Sequence, residues 1–133
     1  MFESSTRILV VDDMSSLRAL TIGFLVEFGF FDILEAGDGN EAWEQLEKSD
    51  PPIQLVISDL NMPNATGLDL LKKMRGDKRF TNTPFIMVTT ESESGLVMLA
   101  VQLRVTNYCV KPITAAMLKD KMIQSYKRVK GIK

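Results

Sequence analysis

Five side chains that could do chemistry stand at the ends of short apolar runs. Asp12 and Asp13 follow "ILVV", and Asp59 ends "LVISD". Thr89 ends "FIMVT", and Lys111 follows "NYCV". If these runs are strands of one parallel sheet, their carboxyl ends lie along the same edge, where ligands bind in open sheets of this kind. The sequence therefore predicts a site that contains three carboxylates, a hydroxyl and an amine.

Such a site needs a counter-ion. Two unit charges about 4 Å apart interact by roughly 4 kcal/mol at an effective dielectric near 20. A hard cation such as Mg²⁺, which takes one or two carboxylates together with water and phosphate, relieves that repulsion. Softer metals lack ligands, since the chain has no histidine and one cysteine. With Lys111 and Thr89 as donors, the set predicts a clamp for a transferring phosphoryl group and Asp59 as its nucleophile.

The elements that must position these side chains alternate between two patterns. β-Branched and apolar runs predict five strands, at residues 8–11, 33–36, 55–58, 85–89 and 108–110. Apolar residues at helical spacing predict a helix after each strand. On the first helix the predicted inner face consists of Leu17, Leu20, Phe24, Leu25 and Phe28. This alternation predicts a doubly wound α/β fold with a five-stranded parallel sheet and five helices.

Length and composition narrow the class of protein. The 133 residues fit one domain, which we expect to span residues 1–133. The net charge of −1 gives no general attraction to nucleic acid or to an anionic membrane. No secretion signal is evident at the N-terminus, and the longest apolar run, residues 96–101, is too short to span a bilayer. The single cysteine suits a reducing compartment. We therefore expect a cytoplasmic monomer with neither nucleic acid nor membrane as partner.

Four segments together resemble a known family. "ILVVDD", "LVISDLNMPNATGLDLLKKMR", "FIMVTTE" and "NYCVKPI" have the order and spacing of response-regulator receiver domains of two-component signalling. The resemblance runs from Arg7 to Val129 and is greatest to CheY-like, single-domain chemotaxis regulators. It implies a flavodoxin-like fold with strand order 2-1-3-4-5. It also implies phosphoryl transfer from a histidine kinase, self-catalysed phosphorylation and dephosphorylation, and no activity as a classical enzyme.

The resemblance implies a role for each matching residue at the acidic edge. Asp59 matches the phosphoacceptor. Asp13 would bind Mg²⁺ directly and Asp12 mainly through water, and the backbone carbonyl of Asn61 would complete the protein ligands. Lys111 matches the lysine that pairs with the phosphoryl group, and the family pattern implies a cis bond between this lysine and the proline that follows.

Other matching residues are implied to transmit or limit the signal. Thr89 matches the switch hydroxyl, and Tyr108 the aromatic side chain that moves with it. Asn61 and Glu91 match two positions that tune how fast water removes the phosphate. The output surface would be the face formed by the fourth helix, fifth strand and fifth helix. On that face, Glu93, Ser94 and residues 105–107 depart from the pattern of motor-binding chemotaxis regulators. The flagellar motor switch is therefore one candidate partner among others.

Alternatives from the residues alone stay open. Asp12 and Asp13 could serve as a helix N-cap, and Tyr108 could be an ordinary half-buried tyrosine. A phosphatase of the haloacid dehalogenase type would need an acid where Asn61 stands. A flavodoxin-like electron carrier would need a phosphate-binding loop where the two aspartates stand. Within two-component signalling, a stand-alone receiver in another phosphorelay or a phosphate sink is the alternative to chemotaxis.

Overall fold

The predicted doubly wound fold is confirmed by the structure. The computed structural model describes residues 1–90 and 94–131, the side chain of Ser94 excepted. The strands are β1 (Arg7–Val11), β2 (Asp32–Ala36), β3 (Leu55–Asp59), β4 (Phe85–Thr89) and β5 (Asn107–Val110). The helices are α1 (Ser15–Glu27), α2 (Gly39–Lys48), α3 (Gly67–Arg75), α4 (Ser94–Gln102) and α5 (Ala115–Lys130). All strand pairs are parallel, in the order β2-β1-β3-β4-β5.

The central strands are buried on both faces, as the continuous apolar runs predict. Every residue of β3 and β4 is buried, and so is every residue of β1 except Arg7. Parallel strands covered on both faces by helices carry such runs because neither face meets water. Val11 of β1 lies opposite Ser58 of β3 in the register. The next residues along the two strands, Asp12 and Asp59, therefore emerge side by side.

Two hydrophobic layers hold the helices against the sheet. Alternate strand residues point to opposite faces. One layer joins strand residues to helices α2, α3 and α4, with members that include Leu9, Val56, Phe85, Leu46, Leu71, Met74 and Ala100. The other layer joins the alternate strand residues to α1 and α5, with members that include Ile8, Ile57, Val88, Leu25, Leu118 and Met122. The carboxyl ends of the strands are thus fixed from both sides.

One predicted core contact on α1 is wrong. Leu20 is 45% exposed, whereas the neighbouring Thr21 is only 6% exposed. The apolar surface of α1 is wider than the strip that meets the sheet, and periodicity does not tell which flank faces inward. Leu20 instead lines a cavity of about 280 Å³ beside the acidic edge, together with Leu17 and Ile113.

Polar side chains fix where the helices begin. Thr66 forms a reciprocal capping box with Asp69 at the start of α3, and Thr114 accepts from the backbone of Met117 at the start of α5. Asp38 caps α2, where its side chain accepts from the backbone N–H of Glu41. In the part of the chain that the structure describes, no helix is both long and apolar enough to cross a membrane.

Candidate functional site at the carboxyl edge of the sheet

The three predicted carboxylates lie together at the carboxyl edge. Asp12, Asp13 and Asp59 each contribute one carboxylate oxygen to a group whose atoms all lie within 4.8 Å of one another. Asp12 and Asp59 are 7% and 6% exposed, and Asp13 is exposed to solvent. The arrangement follows from the β1–β3 register, because each acid directly follows or ends its strand. The site is thus buried on one side and open on the other.

Lys111, which follows the edge strand β5, lies beside this acidic group. Its Nζ lies 3.2 Å from Oδ2 of Asp59. Its backbone N–H donates to the carbonyl of Thr89 at 2.6 Å, which fixes the end of β5 against β4. The bond from Lys111 to Pro112 is cis, as the resemblance implies. The sequence therefore predicts correctly that the amine and the carboxylates meet, although 52 positions separate Lys111 from Asp59 (111 − 59).

Burial raises the pKa of Asp59 above its ordinary value. The positive charge of Lys111 opposes this shift, and the negative charge of Asp12 adds to it. The backbone N–H of Asn61 also donates to the carboxylate and lowers its pKa, but burial outweighs both donors. The ionised form of Asp59 is therefore held at a cost. A cation bound among the carboxylates would remove that cost.

The side chain of Asp12 is held by its own loop. Its Oδ1 accepts from the backbone N–H of Met14 at 3.0 Å. Met14, not either aspartate, is the N-cap residue of α1, and no side chain caps that helix. The N-cap alternative for Asp12 and Asp13 is therefore wrong. Oδ2 of Asp12 accepts no described hydrogen bond from the protein, so it stays available to a ligand.

Arg18 is a neighbour of the site that the sequence does not indicate. Its Nη1 donates to the backbone carbonyl of Asp12 at 2.7 Å. Its Nε lies 2.8 Å from Oε1 of Glu35, which orients the guanidinium. Nothing in the sequence spacing distinguishes this arginine from a solvated residue on α1. Arg18 thus ties α1 to the end of β1 and to β2.

Gly67 is a second residue that sequence reasoning missed. A Cβ at this position would overlap the backbone carbonyl oxygen of Asp59 and approach the sulfur of Met87 to 2.9 Å. The first residue of α3 thus presses directly against the end of β3. Its N–H donates to the carbonyl of Leu60 at 3.0 Å. The signal for this role is the glycine itself at the predicted start of a helix, where nothing else calls for one.

The two predicted switch residues share a cleft beside the site. Thr89 is fully buried at the end of β4, and its Oγ1 donates to the carbonyl of Thr90 at 3.3 Å. Tyr108 is 38% exposed, with Nζ of Lys121 5.5 Å from its ring centroid. Both line a cleft of about 500 Å³ between β5 and α4. Their switching roles stay predictions, and Glu91 lies outside the described residues.

The donor set fits a hard divalent cation. Three carboxylate oxygens converge, and the chain contains no histidine. The single cysteine, Cys109, is buried in β5. Oxygen-only ligand sets select Mg²⁺ or Ca²⁺ over softer metals. Asp12, Asp13 and Asp59 are therefore the residues that could hold Mg²⁺, while the predicted carbonyl ligand from Asn61 stays a prediction.

Known proteins share this sequence pattern and this geometry. The family model described as response regulator receiver domain matches residues 8–123. Chemotaxis protein CheY1 of Helicobacter pylori is 45% identical over 116 residues, which cover 87% of this chain and 93% of that protein. Chemotaxis protein CheY-3 of Vibrio cholerae is 37% identical over 129 residues, covering 97% and 98%.

A solved structure agrees with these relatives. The chemotaxis response regulator CheY4 of Vibrio cholerae superposes with a TM-score of 0.77 at 29% identity, covering 94% of this chain and 98% of that one. The match of the family model covers most of the chain and includes the acids, the lysine and the buried threonine of the site. The chain therefore belongs to the response regulator receiver domain family.

Proposed function

We propose that this receiver domain is a phosphorylation-activated response regulator whose Asp59 accepts a phosphoryl group from a histidine kinase. One observation carries the proposal. The carboxylate of Asp59 is buried, and one of its oxygens lies 3.2 Å from Nζ of Lys111. One oxygen from each of Asp12, Asp13 and Asp59 lies within 4.8 Å of the other two. A purely structural ion pair would need one acid, not three. The surplus negative charge fits a bound cation, and the open side leaves room for a phosphoryl group.

The chemistry assigns a task to each residue. A carboxylate oxygen of Asp59 attacks phosphorus, and the bond from phosphorus to the kinase imidazole nitrogen breaks with its electron pair leaving on that nitrogen. Lys111 balances charge on the equatorial oxygens of the phosphoryl group. Asp12, Asp13 and Asp59 would hold Mg²⁺, which when bound neutralises the acids and phosphoryl oxygens. Asn61 and Glu91 would set how readily water reaches the acyl phosphate.

Competing chemistries have less support. A phosphatase of the haloacid dehalogenase type needs a general acid two residues after the nucleophile, and Asn61 cannot supply a proton in that way. A flavodoxin-like carrier needs a phosphate-binding loop after β1. Here Asp12 and Asp13 occupy that loop and would repel a phosphate that lacked a cation. The transfer to Asp59 requires only the residues that are present.

Chemotaxis is the pathway we propose, because the relatives CheY1 and CheY-3 are named as chemotaxis proteins. The signal would pass from Thr89 to the cleft that Tyr108 shares, and from there to α4. Several large apolar side chains of α4 are exposed and could meet an output protein: Leu96, Met98, Leu99 and Val101. The flagellar motor switch is one candidate for that protein. A receiver of another phosphorelay, or a phosphate sink, would use the same chemistry with a different output.

A small phosphodonor tests the transfer without the kinase. The intact protein is incubated with Mg²⁺ and acetyl phosphate and then weighed. We expect one labile phosphoryl adduct in the wild type and in Asp120→Asn, an acid-to-amide control on α5. No adduct should form in Asp59→Asn. An adduct that persists in Asp59→Asn, or a wild type that takes none up, would contradict the proposal.

A further inference from the structure

A cleft at the opposite edge of the sheet concentrates positive charge. It has a volume of about 490 Å³ and lies beside the amino ends of β4 and β5. Arg75 from α3, Arg104 from the loop after α4, and Arg128 from α5 line it. Among residues 1–90 and 94–131, none of these arginines forms an ion pair with a carboxylate. The chain as a whole is slightly acidic, with a net charge of −1, so this cluster stands apart from its average.

Arg75 forms the floor of the cleft. The residue is 9% exposed, and its guanidinium is held by backbone carbonyls. Nε donates to Arg104 at 3.1 Å, and Nη1 donates to Phe80 at 3.1 Å and to Thr83 at 2.8 Å. Burial, together with the charge of Arg104, lowers the pKa of Arg75 to about 10. A nearly buried cation is thus placed behind the cleft with no counter-ion within the described part of the chain.

Arg104 and Arg128 provide donors at the mouth of the cleft. Arg104 has a φ of 65°, in the left-handed region that residues other than glycine rarely adopt. Its Nη2 donates weakly to the carbonyl of Arg75, at 3.4 Å. Nη1 of Arg128 donates to the carbonyl of Thr106. A guanidinium has five N–H donors, so each keeps several that are not used in the described structure.

We propose that this cleft binds a phosphate-class oxyanion carried by a small molecule, held directly by Arg104 and Arg128 with Arg75 behind them. The planar fork of arginine matches the oxygens of such groups in a bidentate way. A phosphate carries close to two negative charges and three acceptor oxygens, which suits a cluster of three cations better than a single carboxylate does. Thr81 and Asn82 are the other polar residues besides Thr106 that line the cleft. The hydroxyl of Thr81 donates to the carbonyl of Asp77 at 2.8 Å, so the arginines are the donors on which the proposal rests.

This site is distinct from the acidic one. Asp59 ends β3 and Lys111 follows the carboxyl end of β5, whereas Thr106 precedes the amino end of β5. Binding there requires neither Mg²⁺ nor phosphorylation. A titration without divalent cations therefore separates the two sites.

The test is an amide-resolved NMR titration of the full chain with inorganic phosphate and with pyrophosphate, in the absence of Mg²⁺. We expect saturable shifts at Thr81, Asn82 and Thr106. Arg104→Asn, which keeps a residue tolerant of the left-handed backbone, and Arg128→Gln should each weaken binding by about tenfold or more, as the loss of a charge-assisted hydrogen bond implies. Lys78→Gln removes an exposed positive charge that does not line the cleft, and its affinity should match that of the wild type.

Three results would overturn the assignment. Shifts that do not saturate, or that fall on Asp59 and Lys111, would place the anion elsewhere or nowhere. Equal weakening in Lys78→Gln would reduce the effect to general charge attraction. Equal affinity for succinate would show that the cleft does not select phosphates. Far-ultraviolet circular dichroism of each variant confirms its fold, and two independent variants keep the test decisive should one of them unfold.

Discussion

The two edges of the sheet gather charges of opposite sign, carboxylates at the carboxyl edge and arginines at the amino edge. At the carboxyl edge, three carboxylates share one lysine. At the amino edge, three arginines line one cleft and no carboxylate pairs with them in the described residues. Neutral backbone groups can satisfy either charge, N–H donors for a carboxylate and carbonyls for a guanidinium. Arg75 has three such carbonyls, whereas Asp12 and Asp59 each have one described backbone N–H donor, with Lys111 besides at Asp59. The acidic edge is therefore incomplete without a ligand, while part of the basic edge is complete in itself.

The largest expected effect tests that structural part of the basic edge. Arg75→Met removes a donor from three backbone carbonyls. The carbonyl of Phe80 keeps the N–H of Thr83 at 3.2 Å, whereas those of Thr83 and Arg104 lose the protein donor that the described structure gives them. Since each buried acceptor left unpaired costs about 1–3 kcal/mol, we expect the free energy of unfolding to fall by about 3 kcal/mol or more. Urea denaturation measures the change.

Arg79→Met is the matched control for this prediction. Arg79 lies four residues after Arg75, in the connection from α3 to β4, but its side chain is 52% exposed and pairs with Asp77 and Glu47. Solvent screens exposed ion pairs, so the loss of this side chain should cost clearly less than the loss of Arg75. Similar costs for the two variants would mean that Arg75 is not a structural centre, and the contrast between the edges would fail.

The next effect tests how closely the acidic edge is packed. Gly67→Ala places a methyl group against the carbonyl oxygen of Asp59 and the sulfur of Met87. Overpacking of this kind costs about 1–3 kcal/mol, and we expect about 2 kcal/mol from thermal or urea unfolding. In Gly23→Ala, on α1, the new Cβ meets nothing within 4 Å, so this control should gain up to about 1 kcal/mol from helix propensity. A neutral Gly67→Ala would show that α3 can shift away from Asp59.

The same contrast explains what the sequence could and could not predict. The acidic edge was predictable because its residues end strands, and parallel strands of one sheet end together. Strand order and the meeting of Asp59 with Lys111 follow from that rule and the family pattern. The roles of Gly67 and Arg18 were not predictable, since they depend on how closely α3 and α1 approach the sheet. Spacing along a helix does not carry that distance.

The basic edge escaped sequence reasoning for a related reason. Arg75 ends a helix, Arg104 lies in a loop, and Arg128 belongs to the last helix. Basic residues in the last turn of a helix are common because their positive charge interacts favourably with the negative end of the helix dipole. Only the tertiary fold brings these three together, and the left-handed backbone of Arg104 has no signature in a sequence. The prediction for Leu20 is wrong for a different reason: the apolar stripe of α1 is wider than the part of the helix that contacts the sheet.

A smaller effect tests whether a cation offsets the cost of the buried negative charge at the acidic edge. Burial raises the pKa of Asp59, so its charged form destabilises the fold when no cation is present. Asp59→Asn removes that charge and should raise the free energy of unfolding by on the order of 1 kcal/mol in the absence of Mg²⁺. Adding Mg²⁺ at ten times its Kd should stabilise the wild type by about 1.4 kcal/mol and the variant by less. Equal stabilisation of both would separate Mg²⁺ from this carboxylate.

The smallest effect concerns Asp38, an acid at the carboxyl edge whose pKa shifts in the direction opposite to that of Asp59. Asp38 accepts from the backbone N–H of Glu41 at 2.9 Å and from Nδ2 of Asn64 at 3.1 Å, and these donors, the first above all, lower its pKa. Because the folded pKa lies below the unfolded one, near 3.9, the charge stabilises the fold above that value, and the gain is lost as pH falls through the lowered pKa. Asn caps helices about as well as Asp, so Asp38→Asn isolates the charge.

At neutral pH we expect the wild type to be more stable than Asp38→Asn by a few tenths of a kcal/mol, since solvent screens an exposed charge at a helix N-terminus. Urea unfolding across a pH series should show this difference vanish in acid, and a difference that persists below the lowered pKa would mean that the carboxylate acts through its shape and not its charge.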